Sequence, residues 1–179
     1  IALAFSVERE IRLVRGGQAL PAQSVVGPHT SAYDPAFKSE MSEYSPARAR
    51  ALLDLYGYID RDGDGWRDQP DGKPLVMEHN TLDTADYREL DEILKKNMDA
   101  VGIRISFKIG KWPEQLKAAR AGRFMVWSLG STAAAPDGGG ALMRMNGPQV
   151  GGQNIARFQR PAFDALYERI QALPDGPER

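Results

Sequence analysis

The densest set of residues able to do chemistry lies in one acidic loop. Asp60, Asp62, Asp64, Asp68 and Asp71 occupy positions 1, 3, 5, 9 and 12 of a twelve-residue stretch, with Gly65 at position 6. A hard cation such as Ca2+ takes about six to eight oxygen ligands, and this is the EF-hand spacing with Asp in place of the closing Glu. The five carboxylates are therefore candidate calcium ligands, and a calcium-binding structural module is one reading of the chain. Two features oppose it. Pro70 and Pro74 lead out of the loop toward a strand, where an EF-hand has its second helix. An Asp at position 12 also reaches an ion less readily than Glu does. A solvated turn explains the same residues, with Asp and Gly serving backbone geometry and side-chain-to-backbone hydrogen bonds, and it is the favoured reading.

Nucleophilic chemistry finds less support. The chain has no Cys, so thiol catalysis, Cys-ligated zinc and disulfides are excluded. Its two histidines, His29 and His79, lie in separate segments without metal-ligand spacing. An enzyme would need one of them beside a serine hydroxyl. His79 sits in an alternating run and is expected on an exposed face. Leu129-Gly130-Ser131-Thr132 is not a nucleophile elbow, and the Gly138–Gly140 run lacks the context of a phosphate-binding loop. Acid pairs such as Asp83/Asp86 and Asp91/Glu92 read as the hydrated face of a helix. Trp66 and Trp112 read as packing residues. Trp127 closes an apolar run beside a Gly- and Ala-rich loop, which suits the rim of a ligand crevice in an α/β sheet.

These residues must be positioned by a succession of short elements. Ile1, Leu3, Ala4, Val7, Ile11 and Val14 predict an amphipathic helix under way at residue 1 and stopped by Gly16-Gly17. Residues 18–46 are rich in turn formers and read as a long excursion over a surface outside this chain. Ser45 and Pro46 cap a helix with Ala49, Leu52, Leu53 and Tyr56 on one face and Gly57 at its end. LVMEHNTL reads as a strand and residues 84–101 as the clearest helix. IRISFKI follows as a strand with Ile103, Ile105, Phe107 and Ile109 inward. WPEQLKAARAG is a short helix, FMVWSL a buried strand and RPAFDALYERIQAL a last helix with Phe163, Leu166, Tyr167 and Ile170 inward. The β-α-β-α-β order from 75 to 129 predicts an α/β layered fold with at least partly parallel strands.

Composition agrees. The chain has 179 residues, 42% of them hydrophobic and 26% charged, with net charge −1. That is ordinary globular usage for one domain, without the basic field of a nucleic-acid binder. No apolar run is long enough for a membrane span. Without an initiator Met or a helix cap before Ile1, the chain reads as part of something longer.

The order of these motifs resembles a known family. LAFSVEREIRLVRGG, then QALPAQSVVGP and the Tyr33-Asp34-Pro35 turn, is similar to the start of the carboxyl-terminal lobe of extracellular solute-binding proteins of family 5, the peptide- and nickel-binding components of ABC importers. The helix from Tyr44 to Tyr58, the loop from Asp62 to Leu75, the stretch from Leu94 to Ile103, and Asn154 to Tyr167 with Phe158, Phe163 and Asp164 continue the resemblance almost to Arg179. It implies a periplasmic-binding-protein-like α/β lobe spanning residues 1–179, with a mixed sheet and helices on both faces. It further implies a periplasmic or lipid-anchored receptor without catalysis or cofactor. Such a receptor captures a peptide or small solute between this lobe and an amino-terminal one, then delivers it to a membrane permease. The cleft residues would be Trp127, Ser128, Gly130, Ser131 and Asp137, and an apolar or aromatic face is expected near Trp127 and residues 128–140. Peptide-binding members often carry W-x-x-D here, whose Asp holds the peptide's α-amino group. In this chain the third residue after Trp127 is Gly130, and the next acid is Asp137.

Overall fold

Strand β1 (Val76–Leu82) is the middle strand of a three-stranded parallel sheet in which β2 (Arg104–Gly110) and β3 (Val126–Trp127) flank it. The computed structural model describes residues 1–130, 135–174 and 176–179. Met77 stands opposite Ile105 and His79 opposite Phe107, while His79 and Asn80 face Val126 and Trp127 on the other edge. Parallel neighbours need a crossover connection, which helices α3 (Ala85–Asp99) and α4 (Trp112–Arg120) supply. The sheet is more uniform than the mixed one expected: among the described residues, antiparallel pairing is confined to an isolated bridge between Asp68 and Pro74.

The chain forms two compact units. The first comprises residues 1–23, 38–115 and 124–128; the second comprises 24–37, 116–123 and 129–179. The core of the first is Leu3, Ala4, Ala49, Met77, Met98, Val101 and Ile103, ringed by Leu53, Leu75, Leu94, Ile105 and Val126. It joins the carboxyl end of α3 to the amino ends of β1 and β2.

The opening segment differs from the single helix expected. A short 3-10 turn (Ala2–Ala4) buries Leu3 and Ala4, Phe5 is extended, and Ser6 caps a fresh helix, α1 (Val7–Leu13), by accepting from the Arg9 amide. Burial of Leu3 and Ala4 and the hydroxyl of Ser6 together outweigh the helical periodicity. Helix α2 (Pro46–Leu55) begins as expected, with the Ser45 hydroxyl accepting from the Arg48 amide. Only Ala49 of its predicted inner face is fully buried; Leu52 and Tyr56 are exposed.

At the end of α3, Gly102 takes φ +78°, and a Cβ there would come within 3.2 Å of the Arg67 side chain. The arginine occupies that space. Its Nε donates to the Val101 carbonyl at 2.7 Å, and its guanidinium also reaches the Tyr58 carbonyl and the Asp54 carboxylate. One side chain thus joins the ends of α2 and α3 to the acidic loop.

Two more inward assignments fail. Ile109 is 67% exposed, because β2 is an edge strand whose end lies beyond the core. Strand β3 is two half-buried residues long rather than a buried six, and Met125 before it is exposed.

In the second unit, α5 (Gly139–Leu142) is a single turn and α6 (Pro161–Ala172) buries Tyr167 while Leu166 stays 60% exposed. Asn154, fully buried, donates to the carbonyls of Asn146 and Phe158 and accepts from the Phe158 amide. The Asp164 carboxylate accepts from the Gly147 amide at 2.7 Å, and Phe158 meets Phe163 edge to face. The excursion at 18–46 covers this chain itself in part: the Ser31 amide donates to the Pro136 carbonyl and Val26 packs on Gly138.

Met98 is 0% exposed at the centre of the first core. Met98→Ala is expected to cost about 2–5 kcal/mol in urea unfolding. A loss below about 1 kcal/mol would show that the core collapses into the space.

Candidate functional site

Beyond the apolar core, β1 carries a run of buried polar side chains: His79, Asn80 and Thr81. Successive strand residues point to opposite faces, so His79 and Asn80 meet different neighbours. His79 is 2% exposed, contrary to the exposed position expected. A middle strand of a parallel sheet is covered on both faces, so alternation along it does not mark solvent.

On one face, His79 Nε2 lies 3.3 Å from the Ser128 hydroxyl and Nδ1 lies 3.7 Å from the Asp91 carboxylate of α3. The Phe107 ring meets the imidazole in a T-shaped contact, 5.8 Å between centroids. The structure therefore does place a histidine beside a serine, with an acid behind it. At 3.7 Å the Asp91 contact is longer than a hydrogen bond, and Nδ1 has no hydrogen-bond partner. Burial lowers the His79 pKa from its ordinary 6.5, with the Asp91 charge opposing. Burial likewise raises Asp91 from 3.8, with the Thr81 hydroxyl and the His79 charge opposing.

On the other face, Asn80 Nδ2 donates to Gln115 Oε1 at 2.5 Å. Gln115 Nε2 in turn donates to the carbonyls of Thr81 at 3.1 Å and Lys108 at 2.8 Å. One glutamine at the start of α4 thus ties the carboxyl ends of β1 and β2 together.

Trp127 ends β3, half-buried, with Trp112 at 5.4 Å and Phe124 at 6.5 Å between ring centroids. Its indole N–H is buried without a hydrogen-bond partner. Ser128 next to it is exposed. These two residues and the His79–Asp91 pair all belong to the first unit. Of the face expected near Trp127, Trp127 itself is half-buried against Trp112, and Trp112, read as a packing residue, is 42% exposed.

Gly130 and Asp137 belong to the second unit, and Ser131 lies outside the described residues. Gly130 is exposed. Asp137 is already engaged: its carboxylate pairs with Arg179 at 2.6 Å and accepts from the Gly139 amide. It lines an open cleft of about 510 Å3 with Ser31, Gly138, Leu142, Ile170 and Arg179.

The acidic loop divides. Asp60, Asp62 and Asp68 bring one carboxylate oxygen each within 4.8 Å of the others. Asp64 and Asp71 do not join them. Asp64 pairs with Arg104 at 3.0 Å and accepts from the Trp66 amide, and Asp71 pairs with Lys73, which lowers its pKa. Asp60 spends both oxygens on the amides of Gly63 and Gly65, and Asp68 accepts from the Arg61 amide. The loop is organised by its own backbone. Trp66, read as a packing residue, lies under the Arg104 guanidinium at 5.2 Å. His29 is exposed in the second unit, at φ +68°.

Residues 1–153 match the family described as "Bacterial extracellular solute-binding proteins, family 5 Middle". A curated relative, "Di/tripeptide-binding protein 2" of Pseudomonas aeruginosa (strain UCBPP-PA14), is 25% identical over 190 aligned positions, covering 100% of this chain and 32% of its own length. Among solved structures, a periplasmic oligopeptide-binding protein of Thermotoga maritima superposes with TM-score 0.83 at 18% identity, covering 97% of this chain and 35% of that one. AppA of Bacillus subtilis, solved with a nonapeptide, gives 0.81 at 21% identity, and NikA of Brucella suis, solved with Fe(III)-EDTA, gives 0.81 at 22%; both have the same coverage of 97% and 35%. These structures share the fold. The chain spans about a third of the length of the relatives it matches.

The unfolded chain binds the His79 proton more readily than the folded one does. The stability given by neutral His79 is therefore complete above about pH 6.5 and falls as the pH drops through 6.5 toward the folded value. Asp91 acts oppositely in a lower window, losing stability as the pH rises above 3.8 through its raised value. Thermal melts between about pH 7.5 and about pH 5.5 should show a falling midpoint for the native chain and a flatter profile for His79→Gln. Equal slopes would assign the dependence to other groups. Asp60→Ala should lower the melting midpoint by a few degrees, equally with and without calcium, because it removes two backbone caps rather than an ion ligand. A midpoint that rises with calcium in the native chain but not in this variant would restore the calcium reading.

Proposed function

Since the chain belongs to the bacterial extracellular solute-binding proteins of family 5, we propose that it forms part of the substrate-binding component of an ABC importer. In this reading the protein captures a peptide or similar small solute between this lobe and an amino-terminal one. It then hands the solute to a membrane permease by hinge opening. It works outside the cytoplasm, in the periplasm or lipid-anchored on the outer face of the cytoplasmic membrane. Among the described residues no helix is long and apolar enough to cross a bilayer. The role needs differential binding in open and closed states and no bond making or breaking.

Family membership across residues 1–153 carries the proposal. A peptide is the favoured solute because the curated relative is named for di- and tripeptides. The site qualifies how a peptide would be held. Asp137 is already neutralised by Arg179 and does not offer a free carboxylate to an α-ammonium group. Recognition then falls to the aromatic face of Trp127 with Trp112 and to the Ser128 hydroxyl.

Native mass spectrometry of the full-length protein, purified without denaturation, tests the assignment. A bound mass matching a short peptide, released on unfolding, is the expected result. Trp127→Ala should weaken recapture of that species by about tenfold, the loss of roughly 1.4 kcal/mol of stacking and burial. A protein that carries no solute and binds none from a mixed peptide library would refute the peptide assignment.

A further inference from the structure

The Asp91–His79–Ser128 chain bears on what the solute must bring to the site. It rests on the proposed role above, in which Ser128 contacts the solute. Each link has a polarity that chemistry decides. Asp91 is a carboxylate and can only accept. Neutral imidazole carries one N–H and one bare nitrogen, and which nitrogen is bare follows from the partner of the other. His79 Nδ1 is buried and faces Asp91 Oδ1 at 3.7 Å, with no other hydrogen-bond partner. Placing the proton on Nδ1 puts N–H toward the carboxylate. Placing it on Nε2 would leave a buried lone pair on Nδ1 facing a negative oxygen, a repulsive arrangement in a water-poor site. Phe107, the neighbour of His79 from β2, brings no charge, and Val126 faces it from β3. Asp91 is thus the group that decides.

With Nε2 bare, the Ser128 hydroxyl 3.3 Å away donates to it. Its hydrogen is then directed inward, and the oxygen lone pairs are left for the exposed side. We propose that Asp91 and His79 are positioning residues that hold Ser128 as a hydrogen-bond acceptor, selecting a solute that presents a donor there; for a peptide that donor is an N–H, either an ammonium or an amide. A serine without this backing could turn its hydroxyl either way and would not discriminate. The arrangement offers an acceptor in the same unit as Trp127, while Asp137 in the second unit is engaged by Arg179.

Nitrogen-15 NMR of the full-length protein without solute reads the tautomer directly, since imidazole nitrogens with and without a proton resonate far apart. His79→Gln assigns the signals in the presence of His29. The expected result at about pH 7.5 is a protonated Nδ1 and a bare Nε2. Asp91→Leu, which removes the acceptor, should shift population to the Nε2–H form; Ser128→Ala should leave the native tautomer in place. A protonated Nε2 in the native protein overturns the proposal. Trialanine is the binding probe, followed by calorimetry. Ser128→Ala should lose about tenfold in affinity, corresponding to one hydrogen bond. Equal affinity of native protein and variant also overturns it. Failure of the native protein to bind trialanine would count against the peptide reading, and against the amide-or-ammonium contact drawn from it, whereas the tautomer stands or falls without any solute.

Discussion

Strand β1 has a parallel neighbour on each edge, and the rest of the first unit follows from that placement. Parallel strands cannot be joined by a tight turn, so the chain must leave and return through α3 and α4. Both faces of β1 are then covered, and every polar group on it must find a partner inside the protein. The strand meets this demand unequally. Its amino end, at Met77, joins the apolar core. Its carboxyl half carries His79, Asn80 and Thr81, which are buried but polar.

That polar half accounts for the chemistry at the strand ends. Asn80 donates to Gln115, while its Oδ1 stays without a partner; Gln115 also takes up the carbonyls of Thr81 and Lys108 and so holds β1, β2 and the start of α4 in one register. His79 looks the other way, to Asp91 and Ser128. Buried polar groups cost more to leave unmet than they return when met, so such a network specifies geometry more than it adds stability. Crevices at the carboxyl ends of parallel strands are where α/β folds bind ligands. Here those ends hold an aromatic pair, an exposed hydroxyl and a buried histidine in one unit.

The acidic loop shows the same economy applied to structure. A stretch with the spacing of a cation site uses its carboxylates as caps for its own amides and as partners for Arg104 and Lys73. Arg67 within it closes the space left by Gly102 and ties two helix ends to the loop. The motif that looks most like a site in the sequence also serves as a clasp between elements. The residues that look least like one, a lone histidine and a helical aspartate, form the polar chain.

What the sequence alone determined was local. Ser45 with Pro46, Gly16 with Gly17, Gly57 and the 3.6-residue stripe of α3 depend on backbone preferences and near neighbours, so they are visible in a short window. The parallel order of the strands followed from their alternation with helices, and the family from the succession of such signals. Tertiary structure decided the rest. It divided the opening helix at Ser6, left Ile109 and Leu166 in solvent, and buried His79. Apart from the local Ser6 cap, the deciding term is burial by segments distant in the chain, and periodicity records only that a face is apolar, not whether anything covers it. The pairing of His79 with Asp91 and Ser128 is of the same kind. Three elements separated by up to 49 residues bring these side chains together, and only the closure of the sheet makes them neighbours.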